Sequence, residues 1–290
     1  MKKIVILGCE NSHANAFLEF IKTKEKYQDV QVVGVYSDEK DAAQKLNEIY
    51  GVNVMNSYDE YVGQVDGVIV TARHGDNHYK YAKPYIASGV PMFIDKPVTV
   101  SENDALALIK DCKEAGVKLT GGSSCIHSPF VQTLKKEHKE NMDGRTIGGL
   151  IRCPINLDNA YGGFFFYSEH LVAIMSAVYG YYPNSVKAYQ NEGNISVVFR
   201  YENYDITGVY TNLDFGCFYA MRIAEHSVNG ATFPIDSACF EAEFDEFYTL
   251  LSGGAQTRDY KDFIAPVFVL NAIKKSLDTN SEVQVNHYEI

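Results

Sequence analysis

The sequence predicts an α/β chain in which an N-terminal doubly wound parallel sheet precedes an α+β domain with a mainly antiparallel open sheet. Three observations carry this. Through the first 121 residues, short and almost continuously apolar runs alternate with segments of helical period, the pattern of a parallel sheet covered on both faces. Beyond Pro183 the pattern changes to strand-like runs joined by short turn segments. The length of 290 residues suffices for two domains at roughly 100–200 residues each. The boundaries are set at 1–121 and 122–290.

The elements of the first domain follow in order. Lys3 to Gly8 reads as a strand, and Phe17, Leu18, Phe20 and Ile21 mark the helix after it. Val30–Tyr36 is the second strand; Ala42, Ala43, Leu46, Ile49 and Tyr50 stand at helical spacing, with Gly51 where a C-cap belongs. Gly67–Thr71 is a third, buried strand before an amphipathic segment over Asn77–Ser88. Pro91–Ile94 is the fourth. Ser101 with Asp104 three residues on has the form of a capping box ahead of Ala105, Leu106, Leu108 and Ile109, and Lys118–Thr120 closes the series.

In the second domain the pattern predicts a helix over Pro129–Lys139, a strand near Leu150–Ile155 and a helix over Tyr167–Tyr179. Strand-like runs follow at Val186–Tyr189, Ile195–Tyr201, Ile206–Leu213 and Phe218–Ala224, and their hairpin-like connections predict an antiparallel meander. Two helices end the chain. Phe240, Phe244, Phe247 and Leu251 share one face of the first, and Phe263, Val267, Leu270 and Ile273 mark the second.

Composition narrows the function classes. Apolar residues make up 46% and charged residues 22%, which is globular and excludes a disordered or collagenous chain. A net charge of −11 argues against coating nucleic-acid phosphates or an anionic membrane. The six cysteines include no C-x-x-C pair and read as reduced thiols of a cytoplasmic protein. The apolar run at Ile4–Leu7 is too short for a signal sequence, and the most apolar stretch, 164–182, is interrupted by Glu169 and His170. His74 with His78, and Cys125 with His127, have spacings seen in metal sites. Neither has a complete ligand set nearby, so no metal is expected.

A strand ending in glycine and opening a helix is the setting for pyrophosphate binding, because helix N–H groups and the macrodipole favour an anion there. Here the stretch reads Gly8-Cys9-Glu10-Asn11-Ser12-His13-Ala14, and only the first glycine of G-x-G-x-x-G is present. Glu10 stands where the second glycine lets backbone approach phosphate. Ser12, His13 and the backbone amides remain as anion partners, so on the loop alone both binding and not binding a dinucleotide stay open. At the end of the second strand, where an acid usually meets the ribose, Ser37 is followed by Asp38, a carboxylate that fits the ribose and equally a cap of the following helix. The acid pair Asp38-Glu39 favours NAD over NADP, while Ser37 and Lys40 leave the phosphorylated form open.

The run Asp66–Thr71 followed by His78, the segment Phe93-Ile94-Asp95-Lys96-Pro97, Gly162-Gly163 with His170, and the terminal helices with Glu241 to Phe247 and Ser276 resemble the glucose–fructose oxidoreductase/inositol dehydrogenase (Gfo/Idh/MocA) family. Asp95-Lys96-Pro97 stands where that family carries E-K-P. The resemblance implies a Rossmann domain, a mixed-sheet substrate domain, a nicotinamide cofactor (NAD or NADP) in the crevice between them, and hydride exchange with a sugar- or polyol-like substrate. It implies Lys96 and His170 as the polarising and acid–base pair. Cofactor contacts are expected from Gly8, Glu10, Ser12, His13, Ser37, Asp38, Thr71, His78, Asp95 and Lys96, and substrate contacts from Lys96, His127, Tyr167 and His170. It also implies a homodimer or homotetramer built through the C-terminal sheet.

Two departures bear on the site. The family's Asp four residues before the histidine is Phe166 here, and the segment Ser123-Ser124-Cys125-Ile126-His127 differs from the usual substrate-facing pattern. Two other readings therefore stay open: a non-catalytic nucleotide- or sugar-binding regulatory protein of the same fold, and a cofactor-independent epimerase or lyase.

Overall fold

The computed structural model describes residues 1–212 and 216–288. They form two compact units: Met1–Gly122 with Phe240–Phe263, and Ser123–Cys239 with Ile264 onward.

The first unit is built on five parallel strands in the order β2-β1-β3-β4-β5. They are β1 (Lys2–Leu7), β2 (Val30–Tyr36), β3 (Gly67–Val70), β4 (Met92–Asp95) and β5 (Leu119–Gly122). All of Ile4–Leu7 and Val68–Val70 are fully buried, as strands covered on both faces require. Four helices connect them: α1 (Ser12–Thr23), α2 (Lys40–Tyr50), α3 (Asp76–Ile86) and α4 (Glu102–Ala115). The helix ends follow the local chemistry read in the sequence. Gly51 caps α2 in the left-handed region at φ +69°, and Ser101 Oγ accepts the Asp104 amide at 3.3 Å to start α4. Strand order reverses between β1 and β3, which opens a crevice at the carboxyl ends of the strands.

A fifth helix of this unit comes from far along the chain. Helix α7 (Ser237–Leu251) lays Phe244 and Phe247 into the core formed by Phe17, Phe20, Tyr27 and Phe93. The Phe244 ring lies 4.8 Å from Tyr27, edge-on, and 5.1 Å from Phe17, while Tyr27 donates to Asp245 at 2.5 Å. Each such phenylalanine contributes about 1.5–3 kcal/mol by leaving water, enough to fix which sheet this helix covers.

The second unit holds a seven-stranded sheet in the order β11-β10-β6-β9-β8-β7-β12. The strands are β6 (Thr146–Pro154), β7 (Ser185–Asn191), β8 (Asn194–Arg200), β9 (Asp205–Thr211), β10 (Phe218–Ala224), β11 (Val228–Phe233) and β12 (Val283–Gln284). Strands β7, β8 and β9 make the expected antiparallel meander, but β10 does not continue it. Strand β6 lies between β9 and β10, parallel to the former and antiparallel to the latter, so the sheet is mixed and mainly antiparallel. The expected end of the third run at Leu213 lies outside the described residues. Burial alternates along β8, β9 and β10, leaving one face toward α5 (Pro129–Lys139) and α6 (Phe164–Tyr179) and the other half-buried. Helix α6 is apolar around most of its circumference and sits in the core. The last helix, α8 (Tyr260–Thr279), starts in the first unit and continues in the second. No helix among the described residues is long and apolar enough to cross a membrane.

Candidate functional site

In the first unit the site is assembled where β1, β3 and β4 end. Gly8 takes φ +74°, and a β-carbon there would lie 2.4 Å from the backbone of Ala72, so only glycine lets the ends of β1 and β3 approach this closely. Thr71 Oγ1 donates to the Gly8 carbonyl at 3.0 Å, and His78 Nε2 donates to the Ala72 carbonyl at 2.7 Å. Both side chains are fully buried, and burial pushes the His78 imidazole down, keeping it neutral. They hold the loop's backbone. Cys9 is no nucleophile, because burial, reinforced by Glu10, pushes its thiol up to about 12.

Glu10 reaches across this crevice. Its Oε2 accepts from Ser37 Oγ at 2.6 Å, and its Oε1 accepts the Arg73 amide at 2.9 Å. Asn11 is the N-cap residue of α1 but offers the helix no side-chain cap; its amide instead donates to Asp95 Oδ2 at 3.0 Å and accepts from exposed Ser12 at 3.2 Å. Asp38 is half-exposed, with its oxygens bonded to the Tyr36 and Tyr81 hydroxyls at 2.6 and 2.7 Å. These bonds, Tyr36 first, hold its carboxyl below the usual range.

Asp95, at the carboxyl end of β4, is fully buried and organises what lies around it. Its Oδ2 meets His13 Nδ1 at 2.5 Å, and its Oδ1 accepts the Lys96 amide at 2.7 Å. Lys96 is only 6% exposed and begins a cis Lys96–Pro97 peptide. The His13 ring packs between Phe17 and Phe240. Its Nε2 lies 4.0 Å from Glu243 Oε2. Glu243, on α7, is an acid the sequence reading missed. It is 1% exposed, and among the described residues neither of its oxygens has a hydrogen-bond partner. Burial first, and then the charges of Asp95 and Glu246, raise its carboxyl well above the usual range.

In the second unit, α6 carries His170, 6% exposed, one turn beyond Phe166. His170 Nδ1 lies 2.7 Å from Ser123 Oγ and 3.3 Å from Cys125 Sγ. Ser123 Oγ also accepts the Cys125 amide at 3.3 Å, which holds the start of the 3₁₀ turn Ser124–His127. Phe166 does not take the place of an orienting acid; its ring packs on Tyr161 at 5.2 Å. Ser123, 47 residues before His170, brings its hydroxyl to the imidazole instead. Tyr167 stacks edge-on at 4.6 Å from His170, and burial pushes its phenol up to about 12. His127 is half-buried at the end of the 3₁₀ turn.

These features, a parallel sheet with a glycine turn into α1 and a buried Asp-Lys at the end of β4, define a nucleotide-binding type of unit followed by a mixed-sheet unit. Residues 2–123 match the sequence family described as oxidoreductase family, NAD-binding Rossmann fold (Gfo/Idh/MocA). Solved structures share the whole fold at low identity. The myo-inositol dehydrogenase from Corynebacterium glutamicum ATCC 13032 is 14% identical with a TM-score of 0.83, covering 99% of each chain. The scyllo-inositol dehydrogenase from Lactobacillus casei is 13% identical with a TM-score of 0.84, covering 98% of each. The WlbA dehydrogenase from Bordetella pertussis, solved with NADH and UDP-GlcNAcA, is 16% identical with a TM-score of 0.84, again over 98% of each. No curated protein matches this chain by sequence. The sequence-family match covers residues 2–123, and the likeness to the solved structures is one of fold.

Proposed function

We propose that this protein is an NAD(P)-linked oxidoreductase that exchanges hydride with a hydroxyl- or carbonyl-bearing carbon of a sugar- or polyol-like substrate. The observation that carries the reading is Lys96, a lysine only 6% exposed at the carboxyl end of a parallel strand, whose backbone amide donates to the fully buried Asp95 before it. A lysine is seldom buried this far without a task, and strand ends of open α/β sheets are where ligands bind.

What supports a dinucleotide here is the glycine turn at Gly8, the α1 terminus without a side-chain cap, and a carboxylate held at the end of β2. Gly8, Ser12 and the first amides of α1 would hold the pyrophosphate, with Asp95 and Lys96 toward the reacting end. A bound nicotinamide supplies the two-electron acceptor or donor for hydride. In the oxidative direction Lys96 donates to the substrate oxygen and stabilises its developing negative charge. His170 takes the hydroxyl proton on Nε2 in the tautomer whose Nδ1–H donates to Ser123 Oγ. In the reverse direction it returns that proton to the carbonyl oxygen. His127 and Tyr167 offer hydrogen bonds to substrate hydroxyls. The half-buried outer face of the second sheet, with Val198, Val209, Tyr219 and Met221, suits a homodimer or homotetramer contact. The six cysteines form no disulfide among the described residues, which suits the reducing cytoplasm.

The test is a screen of sugars and polyols with NAD⁺ and NADP⁺, read by nicotinamide absorbance, on wild type and Lys96→Ala. Turnover by the wild type, falling roughly 10²–10⁴-fold in kcat in the variant while nucleotide affinity is kept, is the expected result. A wild type that binds nucleotide and turns over nothing refutes the enzyme reading. Turnover of substrate with no nicotinamide added refutes the redox chemistry.

A further inference from the structure

Given the dinucleotide role proposed above, we infer that Glu10 is the acid that reads the adenosine ribose and makes the site selective for NAD(H) over NADP(H). Two departures in the chain are complementary. The second glycine of the phosphate loop is replaced by Glu10, and the acid expected at the end of β2 is replaced by Ser37. The structure joins these two positions. Ser37 Oγ takes the Glu39 amide at 3.0 Å on its lone pair, which directs its own proton to Glu10 Oε2 at 2.6 Å. The Arg73 amide holds the other oxygen at 2.9 Å. The carboxylate missing from the β2 strand is thereby delivered to the end of that strand from the β1 loop.

Position separates Glu10 from the other candidate. Glu10 spans from the end of β2 to the loop after β3, across the carboxyl end of β1, where strand order reverses. A ribose attached to a pyrophosphate at the α1 terminus must pass this point. Asp38 lies outside it, 54% exposed, fastened by Tyr36 and Tyr81 and 3.8 Å from Lys80. A carboxylate has about four lone-pair sites, and Glu10 uses two, so it keeps two to accept the vicinal ribose hydroxyls. A 2′-phosphate placed there would meet a fixed like charge.

The experiment is calorimetric binding of NAD⁺, NADH, NADP⁺ and NADPH to the whole protein as wild type, Glu10→Ala, Glu10→Gln, Glu10→Gly, Ser37→Ala and Asp38→Ala, each checked for folding by circular dichroism. The wild type is expected to bind NAD(H) at least roughly 100-fold tighter than NADP(H). Glu10→Ala is expected to lose roughly 10–100-fold for NAD(H), the effect of removing charged hydrogen-bond acceptors, and to narrow the preference. Asp38→Ala is expected to change NAD(H) affinity by less than about threefold, the size of an exposed contact. Ser37→Ala frees the carboxylate without removing it and is expected to weaken NAD(H) modestly, which tests the same assignment if Glu10 variants do not fold. Tight NAD(H) binding by the wild type that is unchanged in Glu10→Ala overturns this assignment and leaves the oxidoreductase reading standing. Binding that improves in Glu10→Gly also overturns it, since the carboxylate then obstructs the loop. Absence of any dinucleotide binding by every folded form overturns this assignment together with the dinucleotide reading.

Discussion

Glu243→Gln tests the electrostatics of the first unit without reference to any ligand. The carboxyl is 1% exposed, has no hydrogen-bond partner among the described residues, and faces the charges of Asp95 and Glu246. His13 Nε2 approaches to 4.0 Å, and the positive charges of Arg258 and Lys96 offset only part of the cost of ionising it. Burial and its acidic neighbours therefore keep the proton on Glu243 in the folded chain, while the unfolded chain releases it near pH 4.3. Above that pH the folded state binds more protons than the unfolded state, so stability falls as pH rises, until the folded carboxyl itself ionises. The slope is about 1.4 kcal/mol per pH unit, or roughly 3 kcal/mol across two units. Gln keeps the shape and cannot titrate, and any constant cost of its amide cancels when the two pH dependences are subtracted. Urea unfolding of both proteins at pH 5, 6 and 7 measures the difference, and infrared spectroscopy should show a protonated-carboxyl band that the variant lacks. Parallel stability curves, with no such band, would mean that Glu243 is ionised in the folded protein and that burial beside Asp95 and Glu246 does not hold its proton.

Phe244→Ala should cost about 3–5 kcal/mol in a urea titration, since its ring is fully buried among Phe17, Tyr27 and Phe247; a loss below about 1 kcal/mol would show that α7 does not anchor the first unit. Ser123→Ala should lower kcat roughly 10–100-fold on whatever substrate the screen finds, by loosening His170, with the acidic limb of the pH–rate profile displaced and KM little changed. An unshifted profile with full activity would make Ser123 a packing residue only. In the same assay Ser123→Thr, which keeps the hydroxyl, should restore most of the rate.

Much of the first unit was legible because its signals are local. Uninterrupted apolar runs such as Ile4–Leu7 can belong only to elements buried on all sides, and Gly51 and Ser101 announce helix ends through backbone conformation and a single side-chain bond. The place of Asp95 and Lys96 at the end of β4 was legible for the same reason, since the apolar run before them marks the strand. Strand β11 was not, because Val228–Phe233 carries Asn and Gly and is mostly half-exposed, and the two residues of β12 carry no period at all.

What the sequence determined by itself was the kind and order of elements, and the residue types offered at the end of each strand. Only the tertiary structure decided the partners. The phenylalanine stripe of α7 shows that the helix has an apolar face and says nothing of which sheet that face covers; packing against Phe17 and Tyr27 settles it. The alternation in Phe218–Ala224 predicts a strand, but the pairing that puts β6 beside it joins residues about seventy positions apart. His170 and Ser123, Glu10 and Ser37, and Glu243 and His13 meet only when the chain closes long loops. Periodicity records how one segment meets its own surroundings, whereas a site depends on which distant segments share them, and that is chosen by the combined burial of the whole chain.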